Sequence, residues 1–128
     1  MINIEGIHHV SVAVTDLTRA KAFYESVLGL QEIPRPNFIT SGAWYALGCQ
    51  QLHLIVYPKG QTLRPNGGID TSDGHIAIRV ADYEEAILQL KKCGIDFVER
   101  PTSTAGFPQI FLTDPDGNVI ELNADVPS

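Results

Sequence analysis

No stretch of this chain approaches the roughly 20 consecutive apolar residues that a membrane-spanning helix needs. No run of lysine or arginine marks a surface for nucleic acid or anionic lipid, and the net charge of the 128 residues is −6. The opening MINIEG lacks both a basic segment and an apolar segment, so it does not read as a secretory signal peptide. Cysteine is scarce: Cys49 and Cys93 form no C-x-x-C pair, and the expectation is two reduced thiols in a cytoplasmic protein. There is no linker and no low-complexity tract. What remains is a globular composition, 44% hydrophobic and 19% charged, in one domain over 1–128 that is long enough to bury a core.

What is present is a repeat. His9 to Leu30 (HVSVAVTDLTRAKAFYESVLGL) aligns with His75 to Ile95 (HIAIRVADYEEAILQLKKCGI). His9 meets His75, Val12 meets Ile78, Val14 meets Val80, Asp16 meets Asp82 and Ala20 meets Ala86, all offset by 66 positions. One residue fewer in the second copy brings Gly29 onto Gly94 and Arg35-Pro36 onto Arg100-Pro101. Further on, Gln51 to Val56 matches Val119 to Ala124 at an offset of 68. The chain reads as two copies of one unit, about 5–58 and 73–124.

Each copy has the same pattern. A strand alternating by two (about 6–14, and 74–80) leads to an aspartate N-cap, Asp16 or Asp82, with Glu85 completing a capping-box spacing in the second copy. An apolar stripe at helical spacing follows: Leu17, Ala20, Phe23, Tyr24, Val27 and Leu28, then Tyr83, Ala86, Ile87 and Leu90. Gly29 and Gly94 end the helices. Three shorter strands come next, near 30–34, 42–47 and 50–57, and near 95–99, 108–113 and 118–123, with Asp114 to Asn118 (DPDGN) as the last turn. The pattern is βαβββ twice, an α+β protein. The segment PKGQTLRPNGGIDTSDG between the copies reads as a crossover loop and a candidate lid.

The two faces of these strands differ. Val10, Val12 and Val14, Leu52, Leu54 and Val56, Ile76, Ile78 and Val80, and Ile120 and Leu122 are apolar and are expected against the helices. The opposite faces carry His9, Ser11 and Ala13; Gln51, His53, Ile55 and Tyr57; His75, Ala77 and Arg79; and Val119, Glu121 and Asn123. His9, His53, His75 and Glu121 therefore hold equivalent positions. Three imidazoles and a carboxylate are donors suited to a divalent metal ion such as Zn, Fe, Ni, Co or Mn. His8 has the wrong parity for that face and is set aside.

HHVSVAVTDLTRAKAFYESVLGL, GHIAIRVADYEEAI and FLTDPDGNVIEL resemble the vicinal oxygen chelate superfamily, which includes glyoxalase I, bleomycin-resistance proteins, fosfomycin-resistance enzymes, methylmalonyl-CoA epimerase and extradiol dioxygenases. The resemblance covers nearly the whole chain. It implies that His9, His53, His75 and Glu121 are the four metal ligands. It further implies that the two modules form a curved mixed sheet around a metal-binding groove, with the helices on the outer face. Short members of this kind are usually homodimers in which the site draws on both chains. The shared chemistry is stabilisation of an enolate or oxyanion by the metal, with a base moving a proton; here the carboxylate is Glu121, the catalytic candidate.

Glyoxalase I has a glutamate where this chain has His53, and its bacterial type has an arginine where this chain has Ala13; both departures point away from glutathione. The second-copy equivalent of Ala13 is Arg79, which becomes the candidate receptor for an anionic substrate group, beside Ser11 and Tyr57. The leading expectation is a glyoxalase-like lyase or isomerase acting on a small oxygen-chelating substrate. The alternatives are an Fe(II) extradiol-type dioxygenase using His9, His75 and Glu121, and a non-catalytic drug- or metabolite-binding resistance protein. For the binder, Trp44, Tyr45, Tyr57, Phe107 and Phe111 are the pocket candidates.

Overall fold

A computed structural model describes residues 1–65 and 67–126. Two compact units divide it, 1–63 and 64–128, and each has one four-stranded mixed sheet and one helix. The tandem βαβββ pattern expected from the repeat is the fold. Asn66, inside the expected crossover loop, lies outside the described residues.

In the first unit β1 (His9–Val14) is followed by α1 (Leu17–Ala22), β2 (Gln31–Ile33), β3 (Gly42–Leu47) and β4 (Gln50–Val56). The sheet order is β1-β4-β3-β2, with β1 parallel to β4 and the other neighbours antiparallel. Asp16 caps α1 by accepting from the Arg19 amide at 2.9 Å. The helix does not run as one regular stripe: Phe23–Val27 is a π-helical turn, and the Leu28 amide reaches back to the Phe23 carbonyl at 3.2 Å. This turn buries both Phe23 and Tyr24. They share a core with Val14, Ala20, Ala43, Tyr45, Leu52 and Leu54. Complete burial of Leu52 and Leu54 stabilises the unit by about 1.5–3 kcal/mol each. Tyr45 belongs to this core, where its hydroxyl donates to Glu25 at 2.6 Å; it does not join Trp44 on the other face. Burial and that carboxylate both push the Tyr45 phenol above its usual range.

The second unit repeats the plan with β5 (Ile76–Arg79), α2 (Tyr83–Lys92), β6 (Val98–Arg100), β7 (Gln109–Thr113) and β8 (Val119–Asn123), in the order β5-β8-β7-β6. Asp82 caps α2 by accepting from the Glu85 amide at 3.0 Å. Ile87 and Leu90 from the helix share the core with Ile110, Leu112, Ile120 and Leu122.

Three expected strand boundaries move; β5 starts at Ile76 rather than near 74, which leaves His75 just before the strand. β1 starts at His9 rather than near residue 6 because β4 begins at Gln50, and His9 is the first residue with a strand partner, Gln51. β6 occupies Val98–Arg100 rather than 95–99. The Ile95 amide is spent closing α2 on the Leu90 carbonyl at 3.0 Å, after Gly94 turns the chain at φ +69. Cys49 and Cys93 are free and exposed.

The turn that closes the second sheet is rigid. Asp114 Oδ1 accepts from the amides of Asp116 and Asn118, both at 2.9 Å, and Asn118 Nδ2 donates to Asp114 Oδ2 at 2.8 Å. Gly117 adopts φ +82, and a Cβ there would lie 2.1 Å from the Arg64 carbonyl oxygen. The Arg64 amide donates to the Asp116 carbonyl at 3.0 Å, and its guanidinium is paired with Asp73. The crossover segment is thereby pinned to the turn, two residues before His75.

Candidate metal centre

The donors fall into two pairs, one in each unit, held in the same register. In the second unit Glu121 sits opposite Ala77, and His75 comes two residues before Ala77. In the first unit His53 sits opposite Ser11, and His9 comes two residues before Ser11. Diagonal neighbours on one face of paired strands are within side-chain reach, so the repeat builds the same register twice, with different side-chain contacts in each.

The His75–Glu121 pair is the more fully defined. His75 Nδ1 lies 2.7 Å from the Asp73 carbonyl oxygen. That oxygen only accepts, so Nδ1 carries the proton, and Nε2 is directed at Glu121 Oε1, 3.2 Å away. A lone pair facing a carboxylate oxygen demands a positive centre between them, either a second proton or a cation. Imidazole nitrogen and carboxylate oxygen at zinc-like bond lengths stand roughly 2.8–3.5 Å apart across one ion, a range that includes the observed separation. The other carboxylate oxygen is also fixed. Arg79 Nε, which only donates, lies 2.6 Å from Asn123 Oδ1; this sets the amide so that Asn123 Nδ2 donates to Glu121 Oε2 at 2.7 Å. Arg79 is anchored in turn by Asp125 and lies over the Phe107 ring. Glu121 and Asn123 are buried. Buried carboxylates with this degree of orientation are characteristic of ligands supported from behind.

The His9–His53 pair is organised by stacking. The His53 ring lies between His9, 4.1 Å away and 17° from parallel, and Trp44, 4.0 Å away and 4° from parallel. His53 is buried although it belongs to the polar strand face, because Trp44, its cross-strand partner on β3, covers it. His53 Nε2 donates to Gln51 Oε1 at 2.8 Å, which leaves the lone pair on Nδ1. Burial, and then the charges of His9, His8 and Arg35, hold the His53 pKa below the usual imidazole value and keep the ring neutral. His8, excluded by strand parity, is nevertheless beside the pair, its Nδ1 2.8 Å from His9 Nδ1. Among the described residues, no three His, Cys, Asp or Glu side chains gather closely enough to hold one ion; the sets are pairs.

The three expected substrate contacts are placed as follows. Ser11 is exposed opposite His53. Tyr57 is half exposed just after β4. Arg79 is turned towards Asn123, Asp125 and Phe107. Gln51, Trp44 and Asn123 were not picked out as parts of the site by strand parity, although Gln51 and Asn123 lie on the same faces as the donors.

Tandem βαβββ units, each with one four-stranded mixed sheet and one helix, define the class of α+β protein to which the chain belongs. The chain belongs to the Glyoxalase/Bleomycin resistance protein/Dioxygenase superfamily, whose family profile matches residues 6–122. Glyoxylase I 4 of Arabidopsis thaliana is 30% identical over 124 residues, covering 94% of this chain and 71% of that protein. The mitochondrial methylmalonyl-CoA epimerase of Homo sapiens is 31% identical over 131 residues, covering 94% and 74%. Among solved structures, a Bacillus anthracis protein assigned to the glyoxalase family superposes with TM-score 0.82 at 29% identity, covering 98% of this chain and 100% of that one. The fold is also shared, at TM-score 0.76 and 21% identity over 97% and 95% of the two chains, by the Listeria monocytogenes fosfomycin resistance protein FosX, solved with Mn(II) and a dihydroxypropylphosphonic acid. The glyoxylase and the epimerase carry enzyme names, and the FosX structure holds Mn(II). Among the described residues, no helix is long and apolar enough to cross a membrane.

Proposed function

We propose that residues 1–128 form one functional domain, a divalent-metal-dependent lyase or isomerase of the glyoxalase kind, acting on a small substrate that presents neighbouring oxygens. The observation that carries this reading is the 3.2 Å approach of His75 Nε2 to Glu121 Oε1, with Nδ1 tied to a backbone carbonyl. His9, His53, His75 and Glu121 are the residues that would hold the ion. When bound, a divalent ion supplies Lewis acidity to the substrate oxygens.

The chain's own groups do the rest. Glu121 is the one carboxylate of the four and is the base, with its plane fixed by the Asn123 hydrogen bond to Oε2. Arg79 holds Asn123, and so orients Glu121 instead of binding substrate. His53 is kept neutral and in one plane by Trp44 and Gln51, so its lone pair is available at neutral pH. Ser11 and Tyr57 are the exposed polar groups on the first unit that contact substrate. Support for a proton-transfer reaction comes from the glyoxylase and the epimerase among the relatives.

We further propose a homodimer that completes the site. β1 and β5 each end their sheets with one edge unpaired there, and Ile2, Ile4 and Ile7 leading into β1 are exposed.

A second reading has one observation in its favour. His53 is clamped on both ring faces and at Nε2, which suits a structural histidine and leaves His9, His75 and Glu121 as an iron triad for a dioxygenase. Assays of hemithioacetal isomerisation and of catechol-dependent oxygen uptake, on protein reconstituted with Ni(II) or Fe(II), separate the two. Isomerisation that is lost in Glu121→Gln supports the first. Oxygen uptake that persists in His53→Ala overturns it in favour of the second.

A further inference from the structure

The Arg-Pro dipeptide occurs in both copies, and Phe38, which follows the first, packs on Trp44, the neighbour of His53. Gly42 and Trp44 share one face of β3, because residues two apart on a strand do. Trp44 is paired with His53 and Gly42 with Ile55, so this is the face that carries the histidines. A Cβ on Gly42 would lie 2.9 Å from both Cζ and Nε of Arg35. That Cβ would also lie 2.2 Å from the Leu54 carbonyl oxygen, so the position needs glycine and the guanidinium rests against its bare backbone at the start of β3. Its other side is covered by Phe38, whose ring centroid is 4.7 Å from Cζ, and Phe38 packs on Trp44 at 6.0 Å.

This cation is poorly matched by the protein. Nε is buried without a hydrogen-bond partner, and Nη2 reaches only the Thr40 hydroxyl, at 3.5 Å. Arg35 takes part in no ion pair among the described residues, whereas Arg64 has Asp73 and Arg79 has Asp125. A partly buried guanidinium costs free energy unless an anion accompanies it, and its planar fork matches the oxygens of a carboxylate, phosphonate or phosphate.

We propose that Arg35 is the receptor for an oxyanion group of the substrate, seated over Gly42 on the strand face that carries His9 and His53. The inference rests on the reading of those histidines as the reaction site, and it narrows the substrate to one with an anionic group beside its chelating oxygens. It also moves the anion-binding role from Arg79, which already has a carboxylate partner, to Arg35.

The test is calorimetric binding of inorganic phosphate and of acetate to the full chain, metal-free and Ni(II)-loaded, for wild type, Arg35→Gln, Arg35→Lys and Arg100→Gln. Metal affinity is read separately from quenching of Trp44, the single tryptophan. The expected result is oxyanion binding that falls about tenfold or more in Arg35→Gln. It is partly retained in Arg35→Lys and within twofold of wild type in Arg100→Gln, with metal affinity unchanged in all three. Oxyanion affinity equal in wild type and Arg35→Gln overturns the inference, whatever the metal result. An equal loss in Arg100→Gln also overturns it, since the effect is then general charge. Arg35-dependent oxyanion binding without metal binding upholds this receptor and counts against the metal reading alone.

Discussion

Replacing Gly117 with alanine tests how the crossover segment is held to the site. Gly117 has φ +82, and the added Cβ would fall 2.1 Å from the Arg64 carbonyl oxygen and 2.7 Å from its carbonyl carbon. The left-handed backbone alone costs about 1–2 kcal/mol for a side chain. The contact with Arg64 is with backbone, so the segment must move away, and the Arg64 amide loses its 3.0 Å bond to the Asp116 carbonyl, a further ~1 kcal/mol. The total is about 2–3 kcal/mol. For a chain of this length unfolding as one cooperative unit, about 3–4 °C of Tm corresponds to each kcal/mol, so Tm falls by roughly 6–12 °C. Gly29→Ala is the control, since Gly29 has φ +71 but nothing within 4 Å of its Cβ position; it carries the strain without the collision. Differential scanning calorimetry of both variants gives the comparison. Equal Tm losses for the two would refute the collision argument. If His75 holds the proposed ion, Gly117→Ala should also weaken metal binding, because Arg64 holds Asp73 and the Asp73 carbonyl holds His75 Nδ1.

Three further outcomes follow from the site. Asn123→Leu removes the donor to Glu121 Oε2 and lowers metal affinity about 10–100-fold with little change in fold; competition with a chromophoric chelator measures it, and unchanged affinity counts against orientation of Glu121 through Asn123. His53 has a folded pKa below its unfolded value, so the unfolded chain binds the proton first. Stability of the metal-free protein is therefore full above pH 6.5 and is lost as pH falls from about 6.5 towards the folded pKa, and urea melts should show that slope weakened in His53→Ala. Mixing His9→Ala with Glu121→Ala after partial unfolding should restore metal binding in the heterodimer, as a site shared between chains requires; no restoration indicates sites confined to one chain.

The repeat made the matching register of the candidate donors legible because strand parity is strict: the offsets of 66 and 68 put His9 and His75, and His53 and Glu121, at equivalent places beside their paired strands. What parity omits is what the neighbouring strand brings. His53 was expected on a polar face, yet it is buried, because Trp44 arrives from β3 to stack on it. Nothing local to Arg79, a candidate substrate contact, shows that Asn123 and Asp125, 44 and 46 positions on, will meet it. The π-helical turn at Phe23–Val27 is hidden for a different reason: one extra residue in a turn barely disturbs an apolar stripe that includes both Phe23 and Tyr24. Late strand starts are hidden likewise, because an amide used to close a helix looks the same in sequence as one used in a sheet.

Metal binding followed through Trp44 is the most direct test of the whole account. The indole lies 4.0 Å from the His53 ring, so Ni(II) or Co(II) held by His9 and His53 should quench it strongly. One equivalent per chain is expected at pH 7.5. Affinity should fall by at least tenfold in each of His9→Ala, His75→Ala and Glu121→Ala, and should decline below about pH 6 as imidazoles take up protons. Less than one equivalent bound, or quenching that survives both His75→Ala and Glu121→Ala undiminished, would contradict the proposal that His9, His53, His75 and Glu121 hold one ion.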